Sequence, residues 1–339
     1  RFYSRLGSPP GSRESTPYGS PSKTRCSAAQ ARYRSRGRRG GRAEPKRGVH
    51  SAVRAGFERK VLTWSTSLRF LTAVRFAIRG GKTWLVPRVR TWLASLPSKP
   101  TIFVEPFAGG AIVGLTVGFE GLADHVVLVE LDPQVAAVWQ TILGGDADWL
   151  ADRILSFDLT HENVRAALAI ESGGVREKAF RTILKNRTFH GGILAHGSSL
   201  IKHGENGKGL QSRWYAKTLA TRIQAIGQVR DRFTFICGDG IEAMRSLDRA
   251  TTAFFVDPPY KRVGARLYTY HELNHENLFA TAAGCVGDVL LTYDDVPDVR
   301  NLAVRHRFAV ANVAMKTTHH TKKSELLIAR SLDWYCGGC

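Results

Sequence analysis

The chain has 339 residues, of which 43% are hydrophobic and 23% charged, and a formal net charge of +20 at pH 7. That length allows one large domain or two smaller ones around a sizeable core. No apolar run reaches bilayer-crossing length, and the five cysteines suggest no disulfide framework, which argues against a helical membrane protein and a small secreted scaffold. Without the apolar core of a secretory signal, a cytoplasmic protein is expected.

The charge is uneven: residues 1–60 carry 16 Lys/Arg against 3 Asp/Glu. That stretch is rich in Arg, Gly, Ser and Pro and lacks periodic apolar residues, so it is expected to be disordered. A phosphate-gripping arm, a tail without function and an extension from a misplaced translation start all stay open for it. The remainder is still basic, as suits an enzyme acting on a polyanion. A catalytic core is expected over 61–145 and 231–332, a helical insertion over 146–230 and a disordered tail over 333–339. In that tail Cys336 and Cys339 have CxxC spacing but no second pair to complete a zinc site, so no metal is expected.

Along the core, Trp84, Leu85, Val89, Trp92, Leu93 and Leu96 share one helical face. A strand is predicted at 101–104, then a Gly-containing turn, a helix at 110–119, a strand at 125–130 and a helix at 133–143. This alternation predicts a parallel sheet. Residues 148–230 read as mostly helical, interrupted by a Gly-rich basic loop from His190 to Arg213. Strands resume at 233–236, 253–256 and 287–293, with two more near 306–315 and 324–330. The fold class is therefore α/β: a doubly wound, mostly parallel, Rossmann-like sheet split by a helical insertion.

Polar residues collect at the ends of these strands. The first strand runs into Glu105, Pro106, Phe107, Ala108, Gly109 and Gly110, where small residues allow the backbone to approach a ligand and aim helix N–H groups at it. The second ends in Glu130 and Asp132, placed to hold a ribose diol or, more plainly, to cap a helix. FTFICGD ends in Asp239. In TAFFVDPPYKR an apolar strand stops at Asp257, followed by Pro258, Pro259 and Tyr260. Proline fixes φ, lacks a donor and drives its predecessor out of the helical region, so this is a stiff extended corner.

The ordered set of Arg79-Gly80-Gly81-Lys82, Glu105 to Gly110, Glu130-Leu131-Asp132, Asp239 and Asp257 to Tyr260 resembles the Dam-like (D12 class) adenine-N6-specific DNA methyltransferases. His275 to Leu278, Leu291 to Asp294 and Ser324 to Ile328 extend the resemblance over about residues 74–330. It implies the class I S-adenosylmethionine-dependent methyltransferase fold, S-adenosylmethionine as cofactor and double-stranded DNA as partner. A monomer is expected, and a cognate restriction endonuclease as a further partner stays open, as does an orphan or phage-borne role. Lys82 and the Glu105 to Gly110 turn would face the methionine moiety, Glu130 and Asp132 the ribose side, and Asp239 the cofactor's adenine amine. Family members usually have Gly where Ala111 stands and Asn where Asp132 stands.

Asp257 and the Pro258 carbonyl would accept the two N–H bonds of a flipped-out adenine, with Pro259 holding the corner rigid and Tyr260 stacking on the base. The insertion lies where this family keeps its target-recognition region. Arg187, Lys202, Lys208, Arg213 and Lys217 would contact phosphates or guanine, Asn186 and Asn206 would read adenine edges, and Arg262 and Arg266 would clamp DNA. Phe189, Trp214 and Tyr215 are expected in the core. Two other readings stay open: methylation of rRNA adenine, and a catalytically silent nucleic-acid-binding protein on the same fold. A nicotinamide dehydrogenase is disfavoured because the first turn lacks GxGxxG.

Overall fold

A computed structural model describes residues 82–194, 197–204, 207–259, 273–316 and 322–335. The expectations for residues 1–60, Arg79, Gly80, Gly81, Asn206, Tyr260, Arg262, Arg266 and Cys336 to Cys339 lie outside these.

Seven strands form one sheet: β1 (Ile102–Glu105), β2 (His125–Glu130), β3 (Phe233–Cys237), β4 (Thr252–Val256), β5 (Asp288–Asp294), β6 (Ala309–Lys316) and β7 (Lys322–Ala329). Their order is β3-β2-β1-β4-β5-β7-β6. β1 to β5 pair in parallel, with Val104 opposite both Val127 and Phe254, whereas β7 runs antiparallel to β5 and β6. The winding reverses between β1 and β4, and sheets of this kind take ligands beyond the strand ends at such a point.

Ten α-helices surround the sheet among the described residues: α1 (Val86–Ser95), α2 (Ile112–Glu120), α3 (Pro133–Thr141), α4 (Ala147–Leu155), α5 (His161–Ala169), α6 (Val175–Thr188), α7 (Ala216–Gln228), α8 (Gly240–Leu247), α9 (His275–Gly284) and α10 (Pro297–Arg305). Strand alternation sorts the core into two layers. Phe103, Val126, Leu128 and Phe255 pack on one face with Trp92 of α1, Leu115 of α2 and Trp139 of α3. Val104, Val127, Val129 and Phe254 pack on the other with Met244 of α8, Phe279 of α9 and Leu302 of α10. Leu150, Ile154, Phe180, Ile183, Leu219 and Ile223 of the insertion join the first layer, so α4 to α7 share the core of the sheet.

Local chemistry starts these helices where the site needs them. Asp132 accepts the Gln134 N–H at 2.8 Å with Pro133 in the first helical position, which together open α3. Asp239 Oδ1 accepts the N–H groups of Ile241 at 2.7 Å and Glu242 at 2.9 Å, opening α8. Both caps follow strand ends, so each helix start is tied to the same edge of the sheet.

Candidate active site

Glu105, the last residue of β1, turns its carboxylate under the first turn of α2 and accepts the Gly114 N–H at 2.7 Å. Only glycine fits there, because a Cβ on residue 114 would lie 2.6 Å from Glu105 Oε2. Burial raises the Glu105 pKa well above the usual carboxylate range; the Gly114 bond opposes this and the Asp257 charge adds to it. The two carboxylates at the ends of β1 and β4 therefore sense each other across the switch point.

The turn between β1 and α2 is held from both sides. Gly109 donates its N–H to Glu130 Oε2 at 2.8 Å, and its carbonyl accepts the Trp139 indole N–H at 2.8 Å. Ala108 donates to the Val129 carbonyl at 2.9 Å. Ala111, where the family usually has Gly, sits in left-handed backbone at φ 48°. The sequence departure thus falls on a position whose conformation favours glycine.

Glu130 also accepts the Asp132 N–H at 2.8 Å through Oε1. Burial raises its pKa to about 6, offset in part by the Asp132 and Gly109 N–H groups. Asp132 is the N-cap of α3, the plainer of its two expected roles. Asp239 uses Oδ1 for its cap, and its Oδ2 accepts nothing from the described residues. The start of α8 lies against the first turn, since a Cβ at Gly240 would meet the Pro106 carbonyl oxygen at 2.3 Å and Phe107 at 3.1 Å. Glu130, Asp239 and the turn from Glu105 to Gly110 are thereby gathered on one edge.

Beyond β4, Asp257 is half-buried, Pro258 buried and Pro259 half-buried. Asp257 Oδ1 accepts from the Thr292 hydroxyl at 3.0 Å and lies 3.3 Å from Lys82 Nζ. Lys82, 6% exposed on a short 3-10 turn, also pairs with Glu325 of β7, which is 7% exposed. Burial works to lower the Lys82 pKa, but Asp257 and Glu325 outweigh it and raise the value, so the ammonium stays charged. Behind this cluster the buried His275 Nδ1 and Tyr293 hydroxyl are 2.8 Å apart. Sequence reading missed Glu325 and Thr292 as site residues. The signal in the sequence was a carboxylate and a hydroxyl inside strands that are otherwise apolar.

The insertion corrects two expectations. Asn186 and Arg187 are not surface contacts: they are 7% and 6% exposed at the end of α6, which packs on α3. Asn186 donates to the Gly192 carbonyl at 2.9 Å. With Gly109, Trp139 and Thr182 they line a recess of about 20 Å³, room for one water. Burial, then the charges of Arg213 and Arg222, lower the Arg187 pKa to about 10. Lys202, Lys208 and Lys217 are exposed, and Arg213 is half-buried and donates to the Phe189 carbonyl at 3.2 Å. Trp214 is core, but Tyr215 is 63% exposed. Its backbone has a positive φ of 26°.

Among the described residues no group of three or more His, Cys, Asp or Glu is arranged to hold a metal ion, and no helix is long and apolar enough to cross a membrane. The sheet is doubly wound and mostly parallel, with β7 alone reversed, which is the Rossmann-like class expected from the sequence. No protein-family model matches the chain, and no curated protein matches it in sequence. Among solved structures it is similar to the rRNA methyltransferase aviRa from Streptomyces viridochromogenes, at 14% identity over 72% of this chain and 84% of that one, with a TM-score of 0.31. It is also similar to precorrin-6y C5,15-methyltransferase from Geobacter metallireducens, at 11% identity over 71% of this chain and 85% of that one, with a TM-score of 0.33. Neither likeness assigns chemistry, which rests on the residues themselves.

Proposed function

We propose that the chain is an S-adenosylmethionine-dependent methyltransferase acting on the N6 amine of a flipped-out adenine in double-stranded DNA. The observation that carries this reading is Asp257, at a proline-stiffened corner, facing the glycine turn across the switch point with its carboxylate held by Thr292 and Lys82.

The residues at the strand ends fit the cofactor. Glu130 would accept the ribose hydroxyls, Asp239 Oδ2 the adenine amine, and the turn from Glu105 to Gly110, with Lys82, the methionine part. When bound, S-adenosylmethionine supplies an electrophilic methyl group on a sulfonium sulfur. The carboxylate of Asp257 on this edge suits a cationic donor.

An exocyclic adenine amine is a poor nucleophile because its lone pair is delocalised into the ring. Asp257 and the Pro258 carbonyl accept its two N–H bonds and thereby favour a pyramidal nitrogen. Both Thr292 and Lys82 contact Oδ1, which fixes the rotation of the carboxylate, and Pro258 and Pro259 fix the backbone. Preorganised acceptors of this kind need no rearrangement as the reaction proceeds.

The test is transfer of labelled methyl from S-adenosylmethionine to duplex DNA and, in parallel, to rRNA, followed by identification of the modified base. N6-methyladenine in DNA is expected, and Asp257→Ala should lower turnover by about 10²-fold or more with donor binding retained. Label confined to rRNA would move the substrate to that polymer. Near-normal turnover by Asp257→Ala would remove the proposed role of the corner.

A further inference from the structure

We infer that Glu325 is a positioning residue that shares the Lys82 ammonium with the Asp257 carboxylate, so that Asp257 is not fully engaged by it and can receive the substrate amine. The inference rests on the proposed role of Asp257.

Glu325 stands in a strand whose next residues, Leu326, Leu327 and Ile328, are all buried, and it is itself buried. A carboxylate in such surroundings is costly unless it is paired. Its partner is Lys82, 243 positions away in sequence, and this contact is closer than the 3.3 Å from Lys82 Nζ to Asp257 Oδ1. One ammonium thus lies between two carboxylates, and the tighter bond goes to the one outside the proposed reaction. Asp294, directly across from Glu325 on β5, adds a further negative charge on the same side.

A buried ammonium with a single carboxylate neighbour would close on it in a charge-assisted hydrogen bond. Without the Glu325 charge, Lys82 would therefore pair more tightly with Asp257 and compete with the adenine amine for the acceptor that activates it. The larger defect would appear in the chemical step, because Glu130 and Asp239, which would hold the ribose and adenine of the donor, lie at the ends of other strands.

The experiment uses the full chain with Glu325→Gln, which keeps the side-chain shape, and with Glu325→Asp, Lys82→Met and the Lys82→Met/Glu325→Gln pair. At saturating donor and DNA, Glu325→Gln should lower kcat by about 10- to 100-fold while the donor Kd by calorimetry stays within about 3-fold. The double variant should be no slower than Lys82→Met alone, since Glu325 acts through Lys82. Glu325→Asp keeps the charge and should fall between the parent and Glu325→Gln, which covers the case in which the amide variant does not fold. Parent-like kcat in Glu325→Gln, or losses that simply add in the double variant, would overturn the inference while leaving the methyl-transfer reading intact. A parent chain that binds the donor but methylates no adenine would overturn both.

Discussion

Gly240 begins α8 where any side-chain carbon would come within 2.3 Å of the Pro106 carbonyl oxygen. This close approach ties the cap of the helix after β3 to the turn after β1, and the atom in the way is backbone, which cannot swing aside. Gly240→Ala should therefore destabilise the fold by about 1–3 kcal/mol despite the better helix propensity of alanine. It should also weaken donor binding by spreading Asp239 from the turn. Urea unfolding and donor calorimetry on the same preparation would check both effects. An unchanged donor affinity would separate Asp239 from the proposed site.

Donor affinity should depend on pH through Glu130, whose pKa burial raises to about 6 from an ordinary 4.5. As the pH falls through about 6 the carboxylate takes up a proton and loses the charge to which ribose hydroxyls would donate. Affinity is then full above that pH and declines below it. The stability contribution has the opposite sense: the ionised form costs about 2 kcal/mol above pH 6, and protonation relieves that cost on the way down to 4.5. Calorimetric titrations from about pH 5 to 8 should show the decline, and Glu130→Gln should flatten it.

The basic residues of the insertion should divide into two groups. Replacing the exposed Lys202, Lys208 and Lys217 by alanine should weaken DNA binding and reduce the slope of log K against log salt by about 0.9 for each phosphate that is no longer neutralised. Arg187→Ala should instead open a hole beside Trp139 and destabilise the fold by about 2–4 kcal/mol. Salt-dependent binding assays and thermal unfolding distinguish the two. A normal melting temperature with a flattened salt slope in Arg187→Ala would return that residue to the surface group.

Tyr215 combines an exposed side chain with left-handed backbone at φ 26°. Asparagine tolerates that region better than tyrosine, and little packing is sacrificed on substitution. Tyr215→Asn should therefore raise unfolding free energy by about 0.5–1 kcal/mol. A fall in stability measured in urea would show that the ring is anchored in a way its exposure does not suggest.

The strand-end carboxylates were legible in the sequence because each interrupts an apolar run, and a run that stops at Glu105, Glu130, Asp239 or Asp257 marks its own edge. The doubly wound sheet followed from the alternation of those runs with helical stretches. Partners distant in sequence were not legible. Nothing in KSELLI indicates which cation meets its carboxylate, since Lys82 reaches Glu325 only after β7 has been placed between β5 and β6. Asn186 and Arg187 misled because a polar side chain was read as a surface one, whereas the last turn of α6 is covered by α3. Trp214 and Tyr215 are adjacent aromatic residues, yet one is buried and the other exposed, a difference that residue type does not signal.

Because β7 runs against its neighbours, its beginning lies level with the finishing ends of the parallel strands. The chain as far as β6 already carries all four strand-end acids, but not Glu325. Glu325 is the last of these charges to be made, so the centre reaches its full charge balance only once β7 stands between β5 and β6.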